Sequence, residues 1–162
     1  QYVGMDKVKL EGRKVIKKYP GVSLDVNAVA QGYSVDVVSQ FFEEKGIKNY
    51  LVEIGGEVHC KGTNAKDNVW RVGIDKPADG NMTPGGELQA IIELNNKSTV
   101  VCDDAMTADA WDTAFMVLGL EESKELLKNL PGIEVYFIYS DDQGKYQVYF
   151  SEGMKKMIFE QK

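Results

Sequence analysis

The sequence predicts an α+β fold in which a mixed, largely antiparallel sheet packs against helices. Several strand-like segments follow one another between residues 49 and 94, and helical spacing of apolar residues occurs before and after them. Consecutive strands favour this class over a doubly wound parallel sheet, in which strands and helices alternate. With 162 residues, of which 43% are hydrophobic, the chain needs neither a disulfide framework nor a structural metal to form a core. We expect one domain over residues 1–162.

The first third of the chain predicts a hairpin and a long helix. Val8 and Leu10 alternate with polar residues before a glycine turn, which indicates a hairpin within residues 2–18. The extended residues 22–27 end in side chains that cap helices well, and a helix then stops at Gly46, a suitable position for a glycine after the last turn. Its helically spaced apolar residues are Ala30, Tyr33, Val37, Val38, Phe41 and Phe42.

The middle of the chain predicts strands. Residues 49–54 form a short apolar strand, after which Gly55-Gly56 should bend the backbone or let it approach another group, and residues 57–61 continue the strand. Trp70, Val72 and Ile74 alternate with polar residues, which is typical of a half-buried strand. After a loop rich in glycine, proline and asparagine, a strand over residues 88–94 leads into a turn at Asn95-Asn96.

The last third predicts two helices and a hairpin. Thr107 should precede the first helix, which carries Ala110, Ala114, Phe115 and Leu118 on one side and stops at Gly119. Residues 121–130 form a shorter amphipathic helix, and two strands over 133–139 and 146–150 flank the turn-forming residues Asp141-Asp142-Gln143-Gly144.

The charge of the chain makes a nucleic-acid partner improbable. The net charge is −6, and only two arginines are present, so the counterion release that drives such binding is weak. The sequence has no run of 18 apolar residues, so it does not predict a membrane-spanning helix. Because the chain starts at Gln1, a targeting segment could have been removed. Cys60 and Cys102 lack metal-binding spacing and are expected to be buried thiols, with a disulfide or a reactive cysteine as the alternative.

The most informative candidate site lies on the second helix. Asp109 and Thr113 are four residues apart and stack on one helix face, and Asp112 lies near that face. Carboxylate and hydroxyl oxygens suit Mg²⁺ when a substrate phosphate and water complete its coordination. The alternative is a helix start at which acidic residues are favoured by the helix dipole.

Two other segments are candidates for ligand approach. Residues 24–33 run from a strand into a helix start with small side chains, where free N–H groups can receive a phosphate; the alternative is a well-capped, tightly packed helix. The segment Glu53-Ile-Gly-Gly-Glu57 is either a bulge or a ligand approach. His59 is the only histidine and has no evident partner, so a catalytic triad is not expected.

Together the three segments are more specific than any one of them. They are Asp25-Val-Asn-Ala-Val-Ala-Gln-Gly-Tyr-Ser-Val-Asp36, Asn49-Tyr-Leu-Val-Glu-Ile-Gly-Gly-Glu57 and Ala108-Asp-Ala-Trp-Asp-Thr-Ala-Phe-Met-Val-Leu-Gly119. In this order they resemble the signature blocks of the ApbE family, the FAD:protein FMN transferases formerly described as thiamine-biosynthesis lipoproteins. The resemblance extends over nearly all of the chain.

The resemblance implies a Mg²⁺-dependent flavin transferase that cleaves FAD, attaches FMN through a phosphoester to a threonine or serine of a partner protein, and releases AMP. It implies an acceptor protein of a membrane redox complex and a periplasmic or cell-envelope location, with a lipid anchor outside this chain. Two other functions remain open. One is a Mg²⁺-dependent FAD pyrophosphatase that uses water as the nucleophile, and the other is a flavin-binding or scaffold domain without turnover.

The resemblance also assigns roles to individual residues. Asp109 and Thr113 match side-chain metal ligands at the catalytic centre, Asp112 is a further candidate ligand, and Ala28 matches a position that offers its backbone carbonyl. Positions that contact FAD are matched by Asp25, Asn27 and Gln31.

The chain departs from the family pattern in two places. Family members carry a long segment before the block that corresponds to Tyr2. In the family, the strand that ends near Ser98 continues into a Ser-Gly-Asn-Tyr stretch and a loop containing a histidine, whereas here Thr99 follows at once. Because that histidine is a candidate base for the acceptor hydroxyl, we expect the 162 residues alone not to transfer FMN.

Overall fold

The structure of the protein is a computed structural model that describes residues 2–77, 83, 85–94 and 102–159. It confirms the α+β class, because strands paired in hairpins pack against separate helices. All four strand pairs in the described residues are antiparallel. Within those residues, no helix is both long enough and apolar enough to cross a membrane.

The strands form four antiparallel pairs, and each strand lies close to its predicted position, although a hairpin was predicted only for the first and last pairs. The Gly55-Gly56 segment differs from the prediction, because it reverses the chain instead of continuing one strand. Both glycines have positive φ, at 65° and 101°, as a two-residue hairpin turn requires. The pairs are β1 (Val8–Glu11) with β2 (Lys14–Lys17), β3 (Tyr50–Ile54) with β4 (Glu57–Lys61), β5 (Trp70–Asp75) with β6 (Leu88–Leu94), and β7 (Tyr136–Ser140) with β8 (Tyr146–Phe150).

The helices are α1 (Asn27–Glu44), α2 (Ala105–Leu118), α3 (Leu120–Leu127) and α4 (Glu152–Lys155), of which the sequence did not predict α4. Helix α2 begins before Thr107, since Asp104 is its N-cap and accepts the Thr107 N–H at 2.7 Å. Thr107 therefore lies inside the first turn. The predicted turn at Asn95-Asn96 lies outside the described residues.

The β3–β4 hairpin is the middle layer of the fold. Its pleat directs Tyr50 and Val52 toward α1 and directs Val58 and Cys60 toward the β5–β6 pair. The cluster on the β5–β6 side contains Val58, Cys60, Ile92, Leu94 and Met154, and the cluster on the helix side contains Val35, Tyr50, Val52 and Ala105. As expected, the side chains of Cys60 and Cys102 are buried.

The fully buried residues of α1 are small, and of its predicted apolar stripe Val38 and Phe42 pack against the core while half-buried. Gly32, Val35 and Ser39 are its buried residues, whereas Tyr33 and Phe41 are exposed. A Cβ atom at Gly32 would overlap the backbone carbonyl of Ala105. The two helices therefore touch backbone to backbone, and only glycine permits this approach.

Candidate functional site

The three sequence segments that carry the candidate residues meet at one place in the fold. The first turns of α1, the turn between β3 and β4, and the first half of α2 lie in mutual contact. Residues that are far apart in the chain are thereby brought together around the buried side chain of Asp109, which is 7% exposed.

Asp109 is bonded to α1. Its Oδ2 accepts the backbone N–H of Gly32 at 2.9 Å. In a regular α-helix that N–H faces the carbonyl oxygen of the residue four positions earlier, which here is Ala28. The Asp109 carboxylate and the Ala28 carbonyl are therefore two oxygen acceptors beside one amide nitrogen. Thr113, half-buried and one turn after Asp109, extends the same face of α2.

The start of α2 is held by two carboxylates. Asp36 of α1 accepts the N–H of Ala105 through Oδ1 and the N–H of Met106 through Oδ2, both at 2.9 Å. Asp104 accepts the Thr107 N–H at 2.7 Å and the Thr107 hydroxyl at 2.9 Å. The N–H groups that a helix start leaves without intrahelical partners are thus satisfied.

The residues predicted to contact FAD line the start of α1. Asp25 is exposed and accepts the N–H of Asn27 at 2.8 Å, so it satisfies the first N–H of the helix from the position before Val26, the N-cap residue. Gln31 is exposed and its amide lies against Gly55, where a Cβ atom would overlap it. The Gly55-Gly56 turn therefore leaves room for the Gln31 side chain.

Glu57 joins Asp109 and Asp112 as a third carboxylate of the site. Burial, followed by repulsion from Asp109 and Asp112, raises the pKa of Glu57 to about 7. Burial also raises the pKa of Asp112, with Asp109 adding to the shift, although the Asp112 side chain still reaches solvent. No ion pair in the described part of the chain joins these carboxylates to a lysine or arginine. The site is therefore negative and favours a cation.

Two cavities open on either side of Asp112 and Tyr136. A cavity of about 290 Å³ is lined by Glu57 and by residues 72–74 of β5. A cavity of about 360 Å³ lies between α2, α3 and β7. The larger cavity is lined mainly by aromatic and aliphatic side chains, whereas the smaller one combines two carboxyl groups with apolar walls. Such clefts with a few polar groups are typical of small-molecule sites.

The donor set fits Mg²⁺ in type. A carboxylate, a hydroxyl and a backbone carbonyl are hard oxygen donors, and Mg²⁺ in proteins commonly takes one or two carboxylates with water and substrate phosphate. The described residues contain no group of three or more histidine, cysteine, aspartate or glutamate side chains arranged to hold a metal on their own. The chain therefore offers part of a coordination shell, which a bound phosphate would have to complete.

Sequence reasoning missed three features of the candidate site. His59 does have a partner, because its Nδ1 lies 3.6 Å from Oδ1 of Asp36. The place of Asp36 at the start of α2 was also not predicted, although its spacing of four residues from Gly32 would have placed both on one face of α1. Glu57 was noted only as part of a segment and not as a member of the site.

A family model described as the ApbE family matches residues 1–98 and 95–137. The chain is 28% identical to the FAD:protein FMN transferase of Escherichia coli (strain K12), over 90% of this chain and 50% of that protein. It is 29% identical to the protein of the same name from Vibrio cholerae, over 96% of this chain and 56% of that protein. The chain thus spans about half the length of the curated relatives it matches.

A solved structure also resembles this fold. The flavin transferase ApbE from Vibrio cholerae superimposes with a TM-score of 0.83 at 28% identity, over 96% of this chain and 59% of that chain. The α+β arrangement of hairpins and helices described above is therefore shared with it.

Proposed function

This chain belongs to the ApbE family, and we propose that it forms part of a Mg²⁺-dependent flavin transferase. Its substrate is FAD, and the product is FMN joined by a phosphoester to a threonine or serine of an acceptor protein. The observation that carries this proposal is the convergence of Ala28, Asp109 and Thr113, which belong to two segments far apart in sequence, around one buried contact between α1 and α2.

The metal would be held by the side chains of Asp109 and Thr113 and the carbonyl of Ala28, with Asp112 as a further ligand. One bound Mg²⁺ would offset negative charge on the FAD pyrophosphate as its bridging bond breaks. Oδ2 of Asp109 accepts the Gly32 N–H. Its other oxygen, Oδ1, would bind the cation. The repulsion among Glu57, Asp109 and Asp112 favours a cation in the same place.

The start of α1 would hold the flavin nucleotide. Asp25, Asn27 and Gln31 present polar groups there, and the hairpin turn at Gly55-Gly56 leaves space beside Gln31. Backbone N–H groups at a helix start attract phosphate. We therefore place the pyrophosphate between the first turn of α1 and the carboxylate face of α2.

In the transfer step, the acceptor hydroxyl oxygen forms a bond to the phosphorus of the FMN half while the bridging phosphorus–oxygen bond to AMP breaks. AMP leaves with the electron pair of that bond, and the hydroxyl proton is lost to a base or to water. We propose, from the family, that the acceptor belongs to a membrane redox complex. We also propose a periplasmic or cell-envelope location with a lipid anchor outside this chain.

The test is intact-mass spectrometry of a candidate acceptor after incubation with FAD, Mg²⁺ and a protein in which these 162 residues are accompanied by the family segments described above. The 162 residues alone are the parallel sample, and no transfer is expected from them. We expect the acceptor to gain one FMN and AMP to appear in equal amount. Chelation of the metal with EDTA, and the variant Asp109→Asn, are expected to prevent both. Release of FMN and AMP without modification of any acceptor would identify a pyrophosphatase instead. Binding of FAD without any product would indicate a flavin-binding domain.

A further inference from the structure

Two carboxylates join helices α1 and α2, one on each helix, and each accepts backbone N–H groups of the other helix. Asp36 of α1 accepts the Ala105 and Met106 N–H groups of α2, and Asp109 of α2 accepts the Gly32 N–H of α1. The backbones of the two helices touch at Gly32 of α1 and Ala105 of α2. Asp36 lies four residues after Gly32, and Asp109 lies four residues after Ala105. The two contacts are therefore reciprocal and lie one turn apart.

This arrangement fixes how far α1 can slide along α2. At Gly32 and Ala105 the two backbones are in contact, so the helices cannot move closer. The two oxygens of Asp36 are fixed to successive N–H groups, each at 2.9 Å, which sets both the height and the rotation of the α2 start. Any displacement would break charge-assisted bonds at both ends of the contact.

The same displacement would separate the proposed metal donors. Ala28 lies one turn before Gly32 on α1, and Thr113 lies one turn after Asp109 on α2. We infer that Asp36 is a positioning residue, which touches neither metal nor substrate and holds α2 in the register at which Asp109 and Thr113 face the Ala28 carbonyl. This inference rests on the proposed function for the identity of the metal site.

His59 lies beside Asp36. Its Nδ1 lies 3.6 Å from the Asp36 Oδ1 that bonds to Ala105. His59 is placed there by β4, whose residues Val58 and Cys60 are buried on the opposite face of the strand. The hairpin that forms the middle layer therefore also contacts the carboxylate that sets the helix register.

The chain provides a matched control for this role. Asp104 caps the same end of α2, but it directly precedes α2 in the chain, and among the described residues its side chain bonds only to Thr107. A variant at either position weakens the helix start, whereas only a variant at Asp36 loosens α1 from α2. The comparison of Asp36→Asn with Asp104→Asn thus separates positioning from capping.

Two measurements on the purified protein test the inference. The first is the affinity for Mn²⁺ in the presence of FAD, whose pyrophosphate completes the coordination shell; Mn²⁺ is the probe for the metal site and is followed by electron paramagnetic resonance. We expect Asp36→Asn to weaken Mn²⁺ binding by about tenfold or more, as changes behind metal ligands commonly do, and Asp104→Asn to change it little. Asp36→Glu keeps the charge but lengthens the side chain, so it should retain the fold and still weaken binding.

The second measurement needs no metal. Hydrogen exchange of the Gly32 amide in the metal-free protein should become faster in Asp36→Asn and stay close to the original rate in Asp104→Asn. Unchanged Mn²⁺ affinity in both Asp36 variants, or equal loss in the Asp36 and Asp104 variants, would overturn the inference. If the unmodified protein with FAD bound no Mn²⁺, the proposed metal site would fail, and the Gly32 exchange rates would still decide whether Asp36 sets the helix register.

Discussion

The Gly32 N–H donates a hydrogen bond to Asp109 Oδ2 at 2.9 Å, across 77 residues of sequence. This bond gives Asp109 two roles, because the residue proposed to hold the metal also joins the two helices that carry the site. A substitution at Asp109 therefore affects stability and chemistry together, and the two effects have to be separated by the choice of side chain.

Asp109→Asn is expected to abolish flavin transfer while keeping most of the stability. The amide retains an oxygen that can accept the Gly32 N–H, but it loses the negative charge that a metal requires. Asp109→Ala removes the acceptor as well, and loss of a buried charge-assisted bond costs about 1.5–3 kcal/mol. Product analysis and thermal unfolding of both variants check this, and normal transfer by Asp109→Asn would contradict the metal assignment.

Gly32→Ala should destabilise the protein although alanine favours helices. The intrinsic preference for alanine is worth about 1 kcal/mol, but its Cβ would overlap the Ala105 carbonyl and force α1 and α2 apart. Denaturant unfolding should show a net loss of about 1–3 kcal/mol, as overpacking typically costs. Gln40→Ala on the exposed face of α1 is the control and should change stability by less than about 0.5 kcal/mol.

Glu57 should make the metal-free protein less stable as the pH rises. Its pKa rises from 4.5 to about 7 on folding, so the folded state holds the proton more tightly than the unfolded state. Its contribution is therefore fully present below pH 4.5 and is lost as the pH rises through 7. Glu57→Gln should remove that part of the dependence, worth about 1 kcal/mol after allowing for solvent screening.

The measurement is urea unfolding of the Glu57→Gln variant and the unmodified protein between about pH 5 and pH 8. Glu53→Gln, at an exposed position of the same hairpin, is the control. Added Mg²⁺ should reduce the difference, since a bound cation favours the charged carboxylate. If the free energy of unfolding changed with pH in the same way in the unmodified protein and in Glu57→Gln, the pKa of Glu57 would not be raised by folding.

Gly55→Ala should weaken FAD binding by displacing Gln31. A Cβ atom at this position would overlap the Gln31 amide, whereas a Cβ atom at Gly56 meets nothing within 4 Å. Both glycines have positive φ, so both alanine variants carry backbone strain. Fluorescence titration with FAD should therefore show a higher Kd for Gly55→Ala than for Gly56→Ala, and equal values would remove Gln31 from the flavin site.

Ala28 is expected to act through its carbonyl and its small size. Ala28→Ser keeps both properties and should be mild, whereas the side chain of Ala28→Leu would intrude on the ligand. Steady-state kinetics of a protein that also carries the family segments described above should show at least a tenfold lower kcat/KM for the leucine variant, equivalent to about 1.4 kcal/mol. If the leucine variant were as active as the original, Ala28 would not belong to the site.

Local patterns in the sequence were sufficient to identify most elements. The alternation at Trp70, Val72 and Ile74 and the helical spacing that ends at Gly46 depend only on backbone geometry within a few residues. The grouping of Asp109, Asp112 and Thr113 on one helix face follows from the same periodicity. For this reason the α+β class and this grouping could be predicted before any contact was known, whereas the roles of Asp25, Asn27, Ala28 and Gln31 are implied only by the family resemblance.

Other features depend on which segments approach one another. Helix α2 begins at Ala105 and not after Thr107, because Asp104 and the distant Asp36 satisfy its first N–H groups. The Gly55-Gly56 segment has glycines suited to either a bend or a reversal, and strand pairing in the folded protein selected the hairpin.

The sequence by itself determined the elements, the donor types and the family resemblance. Only the tertiary structure decided that Gly32 bonds to Asp109, that Glu57 faces two aspartates and that His59 lies beside Asp36. The physical reason is the range of the interactions. Periodicity reports torsion angles and faces along one segment, whereas close helix contacts, shared carboxylates and shifted pKa values arise when segments far apart in the chain exclude water from the same small volume.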